Sequence, residues 1–261
     1  MTWDPTQYLQ YEDARLRPAL ELLARVPLAA PATIADLGCG AGNVALHIAR
    51  RWPEATLRGI DGDEAMLAKA RKAAAGDARL RFERADLAVW RAAAPFDLVY
   101  SNAALHWLDD HAALFPRLIG SVAEGGVLAV QMPCNFAAPS HALLQEIATS
   151  SRWRDRLASL VRLQPVARPA DYFDWLAPHA IAVDIWTTEY LQHLPRRADG
   201  EHPVLAWMRG TALLPFMAAL DESAQRGFAT DLAQRLAAAY PVRGDGSVLY
   251  AFRRLFVVAR R

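Results

Sequence analysis

Three glycines stand close together in the most distinctive segment of the chain, Ile34-Ala-Asp-Leu-Gly-Cys-Gly-Ala-Gly-Asn43. Apolar residues typical of a strand end at Leu37, and an amphipathic stretch typical of a helix follows the last glycine. Glycines let the backbone turn sharply and come close to a ligand, and the start of a helix offers free N–H groups. The segment therefore predicts a ligand-binding loop between a strand and a helix.

The spacing of these glycines distinguishes between two ligands. A dinucleotide pyrophosphate is bound by the pattern G-x-G-x-x-G, but Asn43 occupies the position of the third glycine here. The pattern G-x-G-x-G, with Asp36 two residues before Gly38, instead resembles the loop that binds S-adenosylmethionine. Asp36 would then lie near the cationic amino-acid end of that cofactor. For the glycines alone, a tight strand-to-helix connection without a ligand is the alternative.

Two further acids follow predicted strands. Asp61 can accept both ribose hydroxyls, and Asp86 can accept the adenine amino group, although either acid alone could be solvated or could cap a helix. A later strand leads into Ser101-Asn-Ala-Ala-Leu-His-Trp107, and ligands of open α/β sheets bind at such strand ends. The predicted cofactor-binding residues are Asp36, Gly38, Cys39, Gly40, Gly42, Asn43, Asp61, Gly62, Met66, Asp86, Leu87, Ser101, Asn102 and Ala103.

Alternating strands and helices must position these residues. The apolar patterns predict strands at 33–37, 56–60, 80–84, 96–100 and 127–132, and helices at 8–26, 43–51, 63–75 and 111–122. Such alternation favours a parallel sheet with helices on both faces. After residue 132 the patterns predict a strand at 181–190, helical pieces at 202–240 with breaks near Gly210 and Pro215, and a last strand at 248–258. The second half is therefore predicted to contain helices inserted among the last strands, and these helices would form a cap over one edge of the sheet.

Composition excludes several other classes. A hydrophobic share of 53% in 261 residues allows a substantial core, and a formal net charge of +1 gives no global attraction to nucleic acid or membranes. Cys39 and Cys134 form neither a disulfide framework nor a metal-ligand spacing. No signal peptide and no membrane-spanning run is visible, so we expect a cytoplasmic protein without a metal, while its oligomeric state stays open.

Beyond the loop, the chain resembles the trans-aconitate 2-methyltransferase family nearly from end to end. The segments that carry the resemblance are Trp3-Asp-Pro-Thr-Gln-Tyr-Leu9, Arg17-Pro18, Asp36 to Asn43, Ser101 to Trp107, Gly125-Gly-Val-Leu-Ala-Val-Gln-Met-Pro133, Pro139-Ser-His141, Ile185-Trp-Thr-Thr-Glu-Tyr190, Gly210-Thr-Ala-Leu-Leu-Pro-Phe216 and Phe252 to Arg261. The loop is shared by many methyltransferases, whereas the Gln-Met-Pro and Trp-Thr segments are much more specific.

The resemblance implies an α/β, Rossmann-like class I methyltransferase. It implies a mostly parallel seven-stranded sheet with a late antiparallel strand, and transfer of a methyl group from S-adenosylmethionine to one carboxylate of trans-aconitate. Residues 1–261 would form one domain, with a cofactor-binding core at 1–132, a mostly helical cap at 133–247 and the last strand at 248–261. S-adenosylhomocysteine would be the second product.

At three positions the sequence departs from the family pattern. Leu214 stands where we expect arginine, His106 where we expect glutamine, and Arg253 where we expect proline. The first departure removes a carboxylate partner and the third adds one. The number of carboxylates that are recognised therefore stays open, whereas methyl transfer does not depend on these positions.

A carboxylate acceptor needs no general base, because its pKa of about 4 keeps it ionised at neutral pH. Cationic side chains and polar or aromatic walls should hold it in line. The candidates for substrate binding are Arg209, Arg253, Arg254, Trp186, Tyr190 and Tyr250, and the candidates for positioning are His106, Trp107 and Tyr8. A solvated arginine or a core aromatic is the alternative for each of them.

Three alternative functions remain open from the sequence. The first is a methyltransferase of the same fold with another acceptor, either a different carboxylate or a phenolic metabolite. The second, an NAD-dependent dehydrogenase, is disfavoured by Asn43 and by Asp36. The third is a binding module without catalytic activity, which the many polar and aromatic residues of the predicted cap disfavour.

Overall fold

The computed structural model describes residues 12–261, in which seven strands form one sheet. The strands are β1 (Thr33–Leu37), β2 (Thr56–Asp61), β3 (Leu80–Arg84), β4 (Phe96–Asn102), β5 (Val122–Pro133), β6 (Ala182–Leu194) and β7 (Val248–Arg260). Their order is β3-β2-β1-β4-β5-β7-β6. The first five strands pair in parallel, and β7 runs antiparallel to β5. The predicted mostly parallel sheet with a late antiparallel strand is confirmed.

Helices connect the strands, and aspartate side chains cap three of them. They are α1 (Glu12–Ala24), α2 (Asn43–Arg51), α3 (Glu64–Ala73), α4 (His111–Gly120), α5 (Pro139–Ala148), α6 (Arg154–Leu157), α7 (Pro169–Leu176), α8 (Pro203–Arg209), α9 (Leu214–Ala218) and α10 (Glu222–Ala239), with short 3-10 turns at Leu105–Trp107, Ala158–Leu160 and Ala177–His179. Asp63, Asp110 and Asp221 cap α3, α4 and α10 by accepting backbone N–H groups of the first turn.

Several predicted boundaries differ from the observed ones. β5 begins at Val122 instead of 127, because its pairing with β4 continues past an irregularity between Phe96 and Leu98. The polar pair Glu124-Gly125 hides this part of the strand in the hydrophobic pattern. Residues 8–11 of the predicted first helix lie outside the described residues. The helical stretch at 202–240 breaks near Gly210 as predicted, but its second break follows Ala218, since Pro215 lies in the first turn of α9.

The chain divides into two compact units. The sheet unit comprises Arg15–Pro133, Pro165–Thr188 and Arg254–Arg261, and the helical unit contains Cys134–Gln164 and Glu189–Arg253. In the sheet unit the strands β1 and β4 and the carboxyl-terminal half of β5 are mostly buried. The helical unit has a core of its own, which includes Trp207 and Phe228. Among the described residues, no helix is both long and apolar enough to cross a membrane.

Candidate active site

The glycine loop between β1 and α2 adopts a backbone that other residues rarely take. Gly38, Gly40 and Gly42 have φ angles of 76°, 53° and 83°, all in the left-handed region. A Cβ on Gly38 would lie 2.1 Å from the Cβ of Ala104, whereas a Cβ on Gly40 would meet no atom within 4 Å. Gly38 is therefore required by packing inside the protein, and Gly40 faces open space that a ligand could fill.

Asp61, at the end of β2, orders this loop. Its Oδ2 accepts a hydrogen bond from the backbone N–H of Gly40 at 2.9 Å, and its Oδ1 accepts one from Asp63 at 2.9 Å. Each carboxylate oxygen can accept a second hydrogen bond, so Asp61 keeps capacity for ligand hydroxyls. Asp86 is exposed after β3, where its Oδ1 accepts from the N–H of Ala88 at 2.9 Å.

Asp36 is a buried carboxylate of unusual electrostatics. Its side chain is 2% exposed, and its Oδ2 has no hydrogen-bond partner among the described residues. Burial, together with the negative charge of Asp61, raises the pKa of Asp36 from 3.8 to about 7. A buried polar group normally has a partner, so Asp36 favours a ligand that brings a donor or a positive charge.

A cavity of about 640 Å³ opens beside the loop. This volume is typical of small-molecule sites. It is lined by Gly38, Asp61, Gly62, Arg84, Ala85, Asp86, Leu87, Ala104, Trp107 and Leu108. The structure thus brings both predicted strand-end acids to one cavity together with Gly38 and Trp107.

Four lining residues were missed by the sequence interpretation, namely Arg84, Ala85, Ala104 and Leu108. Arg84 is the last residue of β3, and its Nε donates to the carbonyl oxygen of Gly62 at 3.1 Å. Its place at the end of the predicted strand at 80–84 was a signal that could have identified it. Ala104 could not be found in this way, because only the fold brings it against the glycine loop.

The segment after β4 is tightly held. The Ser101 hydroxyl donates to the carbonyl oxygen of Leu37 at 2.8 Å, so this predicted cofactor residue also joins β4 to β1. Ala103 has a φ of 54°, and its N–H donates to the carbonyl oxygen of Gln131 at 2.9 Å. A left-handed alanine stores backbone strain of the kind that gathers at functional sites. Asn102 presents a buried Oδ1 without a hydrogen-bond partner among the described residues.

The other predicted cofactor residues have local roles in the structure. Cys39 is buried, and its pKa is raised well above the ordinary value, first by burial and then by Asp36 and Asp61. The N–H of Met66 donates to the Asp63 carboxylate at 3.4 Å within the cap of α3. Asn43 is the first residue of α2. Among the described residues, no group of three His, Cys, Asp or Glu could hold a metal ion.

His106 and Trp107 lie side by side in the 3-10 turn after β4, with ring centroids 4.8 Å apart. Trp107 is 48% exposed and lines the cavity. The Nδ1 of His106 is buried. The third positioning candidate, Tyr8, lies outside the described residues.

The three candidate arginines have different environments. Arg209, in the helical unit, forms an ion pair with Glu201 at 2.6 Å. Arg253 is exposed and lies 3.7 Å from Glu189. Arg254, in the sheet unit, is only 4% exposed, and its Nη1 donates to Gln131 Oε1 at 3.4 Å. Of the three, Arg254 is therefore the buried cation.

The three candidate aromatic residues pack within their own units. Trp186 stacks on Phe256 in the sheet unit, with centroids 4.9 Å apart and planes tilted by 5°. In the helical unit Tyr190 is buried, and the Tyr250 hydroxyl contacts Ser140 Oγ at 2.9 Å. These contacts give Trp186 and Tyr250 a part in stabilising the fold, besides any part in binding.

Comparisons with known proteins agree with this geometry. The family model described as "Methyltransferase domain" matches residues 34–126, which run from β1 into β5. The chain is 48% identical to a trans-aconitate 2-methyltransferase from Methylobacterium radiotolerans, over 99% of this chain and 98% of the relative.

Solved structures share the fold. An S-adenosylmethionine dependent methyltransferase from Mesorhizobium loti matches with a TM-score of 0.53 at 23% identity, over 93% of this chain and 96% of its own. Phosphoethanolamine N-methyltransferase 2 from Haemonchus contortus, in complex with S-adenosyl-L-methionine, matches with a TM-score of 0.56 at 18% identity, over 93% of this chain and 52% of its own.

These findings support neither a dehydrogenase nor a binding module. The predicted enzyme class, an S-adenosylmethionine-dependent methyltransferase, is confirmed, and the chain belongs to the trans-aconitate 2-methyltransferase family.

Proposed function

We propose that this protein transfers a methyl group from S-adenosylmethionine to one carboxylate of trans-aconitate. The observation that carries the proposal is the 48% identity to a trans-aconitate 2-methyltransferase over nearly the whole length of both chains. Because the identity extends through both units, residues 1–261 would serve one reaction as a single enzyme.

The cavity beside the glycine loop would hold the cofactor. Asp61 would accept the ribose hydroxyls and Asp86 the adenine amino group, while Leu87 and Trp107 would provide apolar walls. When bound, S-adenosylmethionine supplies a methyl carbon that its own sulfonium has already activated. The buried Asp36 fits this group, because the cationic amino-acid end would supply the donor and the positive charge that its carboxylate lacks.

The protein's contribution to the reaction would be binding, orientation and exclusion of water. An acceptor carboxylate is ionised at neutral pH and attacks without a general base. Holding it in line with the methyl carbon can supply a large part of the rate enhancement, because proximity replaces a collision between two molecules. Arg254 is the buried cation of the sheet unit and would bind a carboxylate of the acceptor.

The test is an assay of S-adenosylhomocysteine release with the full chain, with the product mass measured in parallel. We expect turnover of trans-aconitate to exceed that of cis-aconitate and citrate, and we expect almost none with a neutral phenol. Equal turnover of the phenol and trans-aconitate would overturn the carboxylate acceptor and leave methyl transfer standing. Titration calorimetry with S-adenosylhomocysteine and with NAD, side by side, tests the cofactor independently.

A further inference from the structure

Neighbouring strands of the sheet unit end in buried polar atoms that lack partners. Asp36 on β1, Asn102 on β4 and Gln131 on β5 each carry one such atom among the described residues. Asn102 pairs with Gln131 in register, and Asp36 pairs with Tyr100, two residues before Asn102. Side chains two residues apart on a strand share a face, so all three lie on one face at the carboxyl ends of their strands.

The three atoms differ in kind. Asp36 Oδ2 and Asn102 Oδ1 are acceptors, and both residues belong to the cofactor side of the proposed site. Gln131 Nε2 is a donor, and the Gln131 side chain is fully buried at 0% exposure. A buried donor without an acceptor is costly, so this N–H group favours a ligand that brings an acceptor.

Arg254 fixes the orientation of the Gln131 amide. Gln131 pairs with Phe256 and Arg254 with Pro133, which makes Gln131 and Arg254 diagonal neighbours on one face. The guanidinium Nη1 donates to Gln131 Oε1 at 3.4 Å. Turning the amide over would place two donors against each other, so Nε2 must be the atom that faces away from Arg254.

A buried guanidinium beside a directed N–H donor has the chemistry of a carboxylate site. Arg254 provides positive charge, and Gln131 provides a neutral donor that selects an acceptor oxygen. We propose that Gln131 and Arg254 together form a subsite for a carboxylate of the methyl acceptor, with Gln131 as a specificity-determining residue. This inference rests on the proposed function.

The same chemistry indicates which carboxylate would bind there. A carboxylate neutralised by a guanidinium and an amide donor is a weaker nucleophile than a free one. The subsite therefore holds a non-reacting carboxylate of the acceptor and leaves the reacting one free of strong neutralisation. Such a subsite selects di- and tricarboxylates over monocarboxylates, because a monocarboxylate bound there has no second group to react.

Gln131→Glu separates this role from a structural one. Glutamate keeps the size of the side chain and the oxygen that accepts from Arg254, but it replaces Nε2 with a second carboxylate oxygen. Its charge pairs with Arg254 and repels an acceptor carboxylate. We expect the thermal unfolding midpoint to stay equal or rise, while KM for trans-aconitate rises at least about thirtyfold. Affinity for S-adenosylhomocysteine should change less than about twofold, because the cofactor residues are untouched.

Gln131→Met is the matched variant, since it keeps the length of the side chain and removes both hydrogen-bonding atoms. It should lower the unfolding midpoint and raise KM for trans-aconitate by about tenfold, less than Gln131→Glu does. The order of KM, with glutamine lowest and glutamate highest, then differs from the order of stability. A purely structural role for Gln131 would move both quantities together.

Calorimetric binding of trans-aconitate distinguishes the two proposals. If the unaltered protein binds trans-aconitate and releases no S-adenosylhomocysteine, the proposed function fails, and weaker binding to Gln131→Glu still supports the subsite. If KM and binding are the same in the unaltered protein and Gln131→Glu, the subsite is overturned while the proposed function stands. Should Gln131→Glu fail to fold, an unchanged KM in Gln131→Met overturns it.

Discussion

Polar side chains at the two ends of the parallel strands differ in whether they have hydrogen-bond partners within the protein. At the amino end, Asp97 Oδ2 accepts hydrogen bonds from the backbone N–H groups of Ala32 at 2.8 Å and Thr33 at 2.9 Å. At the carboxyl end of the same sheet, Asp36 and Gln131 bury polar atoms that no described residue pairs with. At the amino ends the Asp97 carboxylate is paired within the protein. At the carboxyl ends the unpaired atoms of Asp36 and Gln131 can form hydrogen bonds with a ligand.

This difference shows how function can be located without a bound ligand. Ligands of open α/β sheets bind outside the carboxyl ends of the strands. The unpaired polar atoms therefore lie at the end of the sheet where a ligand is expected. A carboxylate by itself does not mark a site, because Asp36 in β1 and Asp97 in the neighbouring β4 are both acids. Whether its oxygens find partners in the protein is what separates the two.

The largest effect is expected from a substitution in the glycine loop, at the carboxyl ends of the strands. Gly38→Ala places a Cβ 2.1 Å from that of Ala104 on a backbone with a φ of 76°, so we expect a loss of more than about 4 kcal/mol of stability and no cofactor binding. Gly76→Ala is the control, because Gly76 has a φ of 82° and nothing within 4 Å of its Cβ. It should lose about 1–3 kcal/mol and bind normally. Denaturant unfolding that ranks the two variants equally would contradict the steric argument.

Removing one carboxylate from each end tests the comparison directly. Asp61→Ala should weaken S-adenosylhomocysteine binding by about ten- to a hundredfold, because it removes the proposed acceptor for the ribose and the acceptor that holds the Gly40 N–H. Asp97→Ala should lower the free energy of unfolding by about 1–3 kcal/mol and leave that affinity unchanged. Calorimetry and thermal unfolding on both variants provide the comparison. If Asp97→Ala weakened binding as strongly as Asp61→Ala, the distinction between the two ends would be wrong.

The smallest effect is the pH dependence that Asp36 should confer. Since burial raises its pKa to about 7, the free protein holds a proton that the unfolded chain releases near 3.8. The free energy of unfolding should therefore fall as the pH rises from 4 to 7, with the whole penalty present above 7. A cationic ligand favours the ionised form, so affinity for S-adenosylhomocysteine should rise by about fivefold between pH 6 and 7, by about a further twofold up to pH 8, and then level off. In Asp36→Asn this dependence should vanish, whereas an equal slope in both proteins would assign it to another group.

The residues that could be predicted from the sequence are those that a local pattern in the chain identifies. Gly38, Asp36 and Asp61 stand at the ends of strands with clear hydrophobic patterns, and the structure places them around one loop. Their roles toward a ligand remain predictions. β1, α2 and β3 have the predicted bounds, because each is a short apolar or amphipathic run between clear breaks.

The contacts that could not be predicted depend on strand register. Arg254 was a candidate, but nothing local indicated that β7 would place it beside Gln131, since the two residues are far apart in the chain. Arg209 and Glu201 are only eight residues apart, but their pairing depends on how the segment before α8 folds back along the helix. The partner of a charged side chain is known only once the fold has brought the two residues together. The hydrophobic pattern of the sequence carries no information about that pairing.

The strand order also has a consequence for the way the sheet is completed. β7 lies between β5 and β6, although β6 precedes it in the chain, and the whole stretch from Cys134 to Ser247 separates β5 from β7. Closing so long a connection costs entropy before any strand pairing repays it. Within the described sheet, β7 is the strand that borders β6. We therefore expect β6 to join the sheet no earlier than β7, and the contact between Arg254 and Gln131 can form only when β7 pairs with β5.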